Sequence, residues 1–99
     1  MGAAARPRRY HRAMPTVQIL FFARLRESLG IEREQVVLPD GVLTAGDLRA
    51  WLAGRGGAWA HELDPGRLLR IAVNHDLCGE EQILADGDEI ALFPPVTGG

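Results

Sequence analysis

Asp86-Gly87-Asp88-Glu89-Ile90-Ala91-Leu92-Phe93-Pro94-Pro95 reads as a turn, a strand and a stop, and its placement decides the arrangement of the rest of the chain. The Asp-Gly-Asp segment supplies turn chemistry. Alternation then puts Ile90 and Leu92 on one face of the strand, with Ala91 and Phe93 on the other. Neither proline can donate to a sheet ladder, so pairing ceases there and the segment Val96-Thr97-Gly98-Gly99 is expected to leave the body extended. Five residues from Pro95 onward reach roughly 16 Å at about 3.3 Å per residue. With no Cβ on Gly98 or Gly99, the tip suits a narrow slot in another protein.

Outward from that strand, Thr16 to Ala23 is rich in β-branched and aromatic residues and is expected to form the first strand. Its alternation groups Val17, Ile19 and Phe21 on one face, and Gln18, Leu20 and Phe22 on the other. Arg24 to Leu29 follows as a short helix closed by Gly30. Glu34 to Leu38 is a second strand halted by Pro39-Asp40-Gly41, and the short connection implies an antiparallel hairpin. Thr44-Ala45-Gly46-Asp47 has the form of a capping box. Leu48, Trp51 and Leu52 then mark the expected buried stripe of the main helix, with Trp51 in the core, and Gly54, Gly56 and Gly57 end it. Ala58 to Leu63 suggests another helical turn. Leu68 to Val73 is a third strand with Ile71 and Val73 facing the core, followed by an Asn74-His75-Asp76 turn and then Leu77.

If the main helix crosses between them, the first and last strands lie side by side. The result is an α+β architecture, a small mixed sheet with one face covered by a main helix. Phe22, Phe93 and Leu77 would then cluster on the uncovered face beside the departing tail, and such an exposed apolar patch marks a partner surface.

Composition bounds the function. The 99 residues fit one domain, ordinary in apolar (46%) and charged (24%) content. Residues 1–13 carry Arg6, Arg8, Arg9 and Arg12 with no acid, lack periodicity and read as a disordered basic extension. They contain no serine and precede no small-residue cleavage site, which argues against a targeting signal; Met14 is an alternative start. The remaining seven arginines face thirteen acids, a net of −6, which disfavours a nucleic-acid surface and suits a basic protein partner. No apolar run is long enough to span a bilayer. The domain is thus expected over 14–94, with 95–99 as a working tail.

Self-sufficient chemistry is not expected. The Gly54–Gly57 run lacks the spacing of a phosphate loop, and His11, His61 and His75 lack metal-ligand spacing. Asp86, Asp88 and Glu89 are better read as a turn than as a calcium loop. Cys78, the single cysteine, is expected to be an inert thiol. The chain contains no lysine, so it offers no side-chain amine for an isopeptide bond.

Four segments carry a family resemblance: LFFARLRE (Leu20–Glu27), AVN (Ala72–Asn74), LADGDEIALFPP (Leu84–Pro95) and PPVTGG (Pro94–Gly99). Together, over residues 15–99, they resemble the small subunit of molybdopterin synthase, the MoaD type. The resemblance implies the ubiquitin-like β-grasp fold and a cytoplasmic sulfur carrier, a non-catalytic subunit of a heterotetrameric sulfurtransferase in molybdenum cofactor biosynthesis. It implies no permanently bound cofactor. The Gly99 carboxylate, behind Gly98, would be adenylated with ATP by an enzyme resembling ubiquitin E1. It would then become a thiocarboxylate and pass its sulfur to cyclic pyranopterin monophosphate in the large subunit. Phe22, Leu77 and Phe93 match apolar positions that the family sets against its partners, and Pro94, Pro95, Val96 and Thr97 lead into the slot.

The basic extension and the absence of lysine depart from the family pattern. Three other readings remain open at this point, the plainest being a β-grasp interaction module whose tail is dispensable. Another is a carrier for thiamine synthesis or tRNA thiolation. The third is a ubiquitin-like modifier conjugated through Gly99.

Overall fold

Five strands and three helices make up residues 14–95, the part of the chain that the computed structural model describes. In order they are β1 (Thr16–Phe21), α1 (Ala23–Leu29), β2 (Arg33–Val37), α2 (Ala45–Ala53), α3 (Gly57–Glu62), β3 (Arg70–Val73), β4 (Asp76–Cys78) and β5 (Glu89–Phe93). The extension 1–13, and Val96, Thr97, Gly98 and Gly99 of the tail, lie outside the described residues.

The strands form one mixed sheet in the order β2-β1-β5-β3-β4. β1 and β5 pair in parallel, Gln18 opposite Glu89 through Phe21 opposite Leu92, while every other pairing is antiparallel. Parallel neighbours need a crossover, and the chain from β2 through α2 and α3 to β3 and β4 supplies it.

Period-two alternation sorts the sheet into two faces. Val17, Ile19 and Phe21 of β1, Ile71 and Val73 of β3, and Ile90 and Leu92 of β5 are buried. They form one apolar cluster with Leu25 of α1, Leu48 and Leu52 of α2, and Leu63. A fully buried side chain of this size contributes roughly 1.5–3 kcal/mol, so these residues dominate stability. The other face carries Gln18, Leu20, Ala91 and Phe93, all only partly buried.

The capping box at α2 forms as expected. Thr44 Oγ1 accepts from the Asp47 N–H (3.1 Å), and Asp47 accepts in return from the N–H groups of Leu43 (3.0 Å) and Thr44 (3.1 Å). Gly30 closes α1 at φ 73°, with its N–H on the Arg26 carbonyl, a left-handed position that favours glycine.

Several elements differ from expectation. β1 ends at Phe21, because Ala23 takes φ 54° and turns the chain into α1. Phe22 thus becomes the N-cap of that helix rather than a strand residue, and 44% of it is exposed. Trp51 is not a core residue and is 37% exposed. The buried stripe of α2 is Ala45, Leu48, Arg49 and Leu52, and Trp51 lies about 110° around the helix from its centre. There Trp51 covers Arg55, whose guanidinium sits 5.1 Å from the Trp51 ring centroid and 4.4 Å from that of Trp59. β3 begins only at Arg70, leaving Leu68 79% exposed.

Candidate functional site

Phe93 ends β5, and Pro94 and Pro95 carry the chain off the sheet, both half-buried. The register places Phe93 opposite Arg70 on one side. On the other, the Phe22 N–H reaches the Leu92 carbonyl (3.2 Å), one step beyond the last β1 pair. That bond holds Phe22 next to Phe93. Their ring centroids are 6.5 Å apart at 82°, an edge-to-face pair in the geometry aromatic rings prefer.

Leu77 reaches the same region by another route. Asn74 and His75 form a two-residue turn with φ 52° and 76°, the left-handed pair of a type I′ hairpin. The turn folds β4 back on β3 so that Leu77 lies opposite Ala72, and Ala72 opposite Ala91. Ala72, with its small side chain, leaves a hollow. Arg70, Ala72, His75, Leu77 and Phe93 line it, and Leu77 is 66% exposed. Phe93 is therefore shared, paired with Phe22 on one flank and walling the hollow with Leu77 on the other.

The root of the tail has charged neighbours that the sequence did not single out. Arg24, Arg67, Leu68, Pro94 and Pro95 line one surface depression; Leu68, Leu69, Arg70 and Pro95 line another. Under the first lies Glu62, 6% exposed. Its Oε2 accepts from Ser28 Oγ (2.9 Å), and its Oε1 faces Arg24 Nε (3.4 Å) and Arg67 Nη2 (3.7 Å). Burial pushes the Glu62 pKa up, but the Ser28 hydroxyl and the Arg24, Arg67 and His61 charges outweigh it, so the carboxyl stays below its usual range. The one signal that could have assembled this cluster is strand register, which pairs Arg70 with Phe93; linear spacing does not encode it.

Arg49, 6% exposed, braces the segment leading into β3. Its Nε donates to the Leu63 carbonyl (3.0 Å), its Nη2 to those of Asp64 (2.5 Å) and Arg67 (2.6 Å), and its Nη1 to Glu80 (2.7 Å). Cys78 is half-buried against the core, and burial, with Glu81 nearby, raises its thiol pKa. That keeps the reactive thiolate scarce at neutral pH. Among the described residues, no three His, Cys, Asp or Glu side chains converge on a point that could hold a metal ion. No helix among them is long and apolar enough to cross a membrane.

The ThiS family model matches residues 19–99, more than three-quarters of the sequence. The chain belongs to the ThiS family. Among its relatives is the molybdopterin synthase sulfur carrier subunit of Haemophilus influenzae, 46% identical over 83 residues, a match spanning 84% of this chain and 99% of that one. Among solved structures, the small archaeal modifier protein 1 of Haloferax volcanii is similar at TM-score 0.69 and 32% identity, over 83% of this chain and 99% of that one. Subunits 1 and 2 of the molybdopterin-converting factor of Helicobacter pylori have been solved as a complex. The matching chain in it has TM-score 0.59 and 29% identity, over 85% of this ThiS-family chain and 99% of that one. A ubiquitin from Caldiarchaeum subterraneum, 17% identical, shares the fold at TM-score 0.52 over 86% of this chain and 98% of that one. The architecture is the ubiquitin-like β-grasp.

Proposed function

We propose that this ThiS-family chain is the sulfur-carrier small subunit of molybdopterin synthase and that Gly99 is its reacting group. The observation that carries the reading is the root of the tail. Pro94 and Pro95 leave the sheet beside the Phe22–Phe93 pair, so the root of the tail and the apolar surface lie side by side, where one partner can meet both. The relatives' names supply the pathway, and the solved Helicobacter pylori complex supports a large subunit as that partner.

The chemistry follows from the carboxylate. Its delocalised charge makes it a poor acyl acceptor. An E1-like enzyme joins it to the α-phosphate of ATP, releasing pyrophosphate, and the acyl adenylate then has AMP as a good leaving group. The terminal sulfur of a persulfide donor attacks the carbonyl carbon and AMP departs; a thiol then attacks the donor-side sulfur of the resulting acyl disulfide, leaving a thiocarboxylate on Gly99 and a disulfide on the donor. In the large subunit this sulfur passes to cyclic pyranopterin monophosphate, and water restores the carboxylate. Adenylate and thiocarboxylate are thus transient forms of Gly99, and the reading implies a cytoplasmic location.

Intact-mass measurement of protein from a host with an active pathway is expected to show a fraction with one oxygen exchanged for sulfur at Gly99. Deleting Gly99, or adding one residue after it, is expected to abolish sulfur transfer and leave the thermal midpoint unchanged. Restored molybdopterin synthesis with the lengthened chain would overturn the reading.

The likeness to an archaeal modifier protein favours a second reading, conjugation of Gly99 to lysines of other proteins. Covalent ladders on pull-down would mark that role. A non-covalent complex with one large subunit marks the carrier.

A further inference from the structure

The charge around the tail's root runs against the charge of the domain. Residues 14–99 carry thirteen acids and seven arginines. Three of those seven, Arg24, Arg67 and Arg70, adjoin Pro94-Pro95 in two depressions that share Leu68 and Pro95. One carboxylate, Glu62, answers them, and it lies beneath: its side chain is 6% exposed, against 54% for Arg24 and 34% for Arg67. Asp64, in the same loop, turns its carboxylate to the Gly66 N–H (2.9 Å). Among the described residues, Arg70 has no carboxylate within ion-pair distance, and it is exposed. The outward surface is therefore cationic, and two of its guanidinium groups lie over Glu62 Oε1, at 3.4 and 3.7 Å. The planar fork of a guanidinium suits a carboxylate.

Resting on the carrier reading above, we infer that Arg24, Arg67 and Arg70 form a cationic collar at the base of the tail that docks on carboxylates bordering the slot of the large synthase subunit. Continuity with the aromatic pair supports this. Arg24 lies two residues after Phe22, and Arg70 is the register partner of Phe93, so collar and apolar patch make one surface. The two parts do different work. The patch holds the bound complex, while the collar speeds encounter and sets the rotation at which the tail meets the slot, as charges bordering an apolar contact do. Rotation matters because the tail is short. At roughly 16 Å of reach, a misdirected root cannot be corrected further along.

The test is the association rate of the full chain with its cognate large subunit, measured at low and high salt. Arg70→Glu is expected to slow association about tenfold at low salt, the gap closing to within about twofold at high salt. The double change Arg24→Gln with Arg67→Gln removes both charges over Glu62 and is expected to slow it several-fold. Arg33→Glu, on the far edge strand β2, alters net charge equally and is expected to leave the rate within about twofold. Thermal midpoints report whether each variant is folded, and Arg70, with no ion pair to lose among the described residues, is the variant least exposed to that concern. An Arg70→Glu rate within twofold of the parent, or an equal loss from Arg33→Glu, overturns the collar while the carrier reading stands. Failure of the unsubstituted chain to bind the large subunit overturns both.

Discussion

Glu62 shows how much can rest on one carboxylate. It joins α3 to α1 through Ser28 and Arg24, and to the segment before β3 through Arg67. Its pKa is lower in the folded chain than in the unfolded one. The stability it adds is therefore full above the unfolded value of about 4.3 and is lost as pH falls through the lower folded value. Glu62→Gln is expected to cost about 1–2 kcal/mol at neutral pH, a figure kept small because Arg24 is half in solvent. At about pH 3 the difference from the parent should shrink. Chemical denaturation at the two pH values measures it; a constant difference would mean that titration of Glu62 contributes nothing. Such residues are the least legible in the sequence. Arg49 and Glu62 look like ordinary surface charges, because periodicity assigns a residue to a face and cannot say that backbone carbonyls wait there to receive it. Trp51 erred the other way. Its spacing from Leu48 suggested the core, but the buried stripe was filled by Ala45, Leu48, Arg49 and Leu52.

At the scale of elements, local chemistry made the sequence readable. The capping box of α2 needs only residues three apart, and Thr44→Ala is expected to lower stability by about 1 kcal/mol, read as a shift in the denaturation midpoint. The β3–β4 turn is the complementary case, an element whose sequence is not the best for its shape. His75 holds φ 76°, which costs an L-residue about 1–2 kcal/mol. His75→Gly is expected to raise stability by about 0.5 kcal/mol after glycine's own entropy loss. Its contact with Glu89 (3.5 Å) is an exposed one and little is lost with it. Unchanged or lower stability would show that this contact matters more than the backbone. Asn74 should not be touched in that experiment. Its side chain donates to Asp88 (2.9 Å) and accepts from the Glu89 N–H (3.0 Å), fastening the hairpin to β5. Strand ends were less legible than strand identities. The early end of β1 depends on Ala23 at φ 54°, and nothing in an Ala-Arg-Leu segment announces a left-handed residue.

For the whole molecule, the division of labour follows the two faces of the sheet. Ile90 and Leu92 face the core, and Phe93, one residue on, faces away. Phe93→Asp is therefore expected to weaken large-subunit binding at least tenfold, in keeping with loss of a buried aromatic anchor, while moving the thermal midpoint little. Calorimetric titration checks the first and a melting curve the second; unchanged affinity would displace the proposed interface from this face. The two-faced sheet was legible because β1 and β5 alternate cleanly, and the neighbourhood of Phe22 and Phe93 followed from it. The arginine collar was not, because it unites the start of α1, the loop before β3 and the base of the tail, which only the finished packing brings together.

The parallel pairing of β1 with β5 also has a consequence for biosynthesis. Of the described strands, the one at the centre of the sheet is made last, and its parallel partner is made first. Until β5 clears the exit tunnel, β1 lacks its central neighbour, and such long-range pairing forms late. A nascent chain arrested before Glu89 should stay sensitive to protease, and one extended past Gly99 by a tunnel-length linker should resist it. A partner that recognises the Phe22–Phe93 surface would then meet only chains in which β5 has already paired with β1.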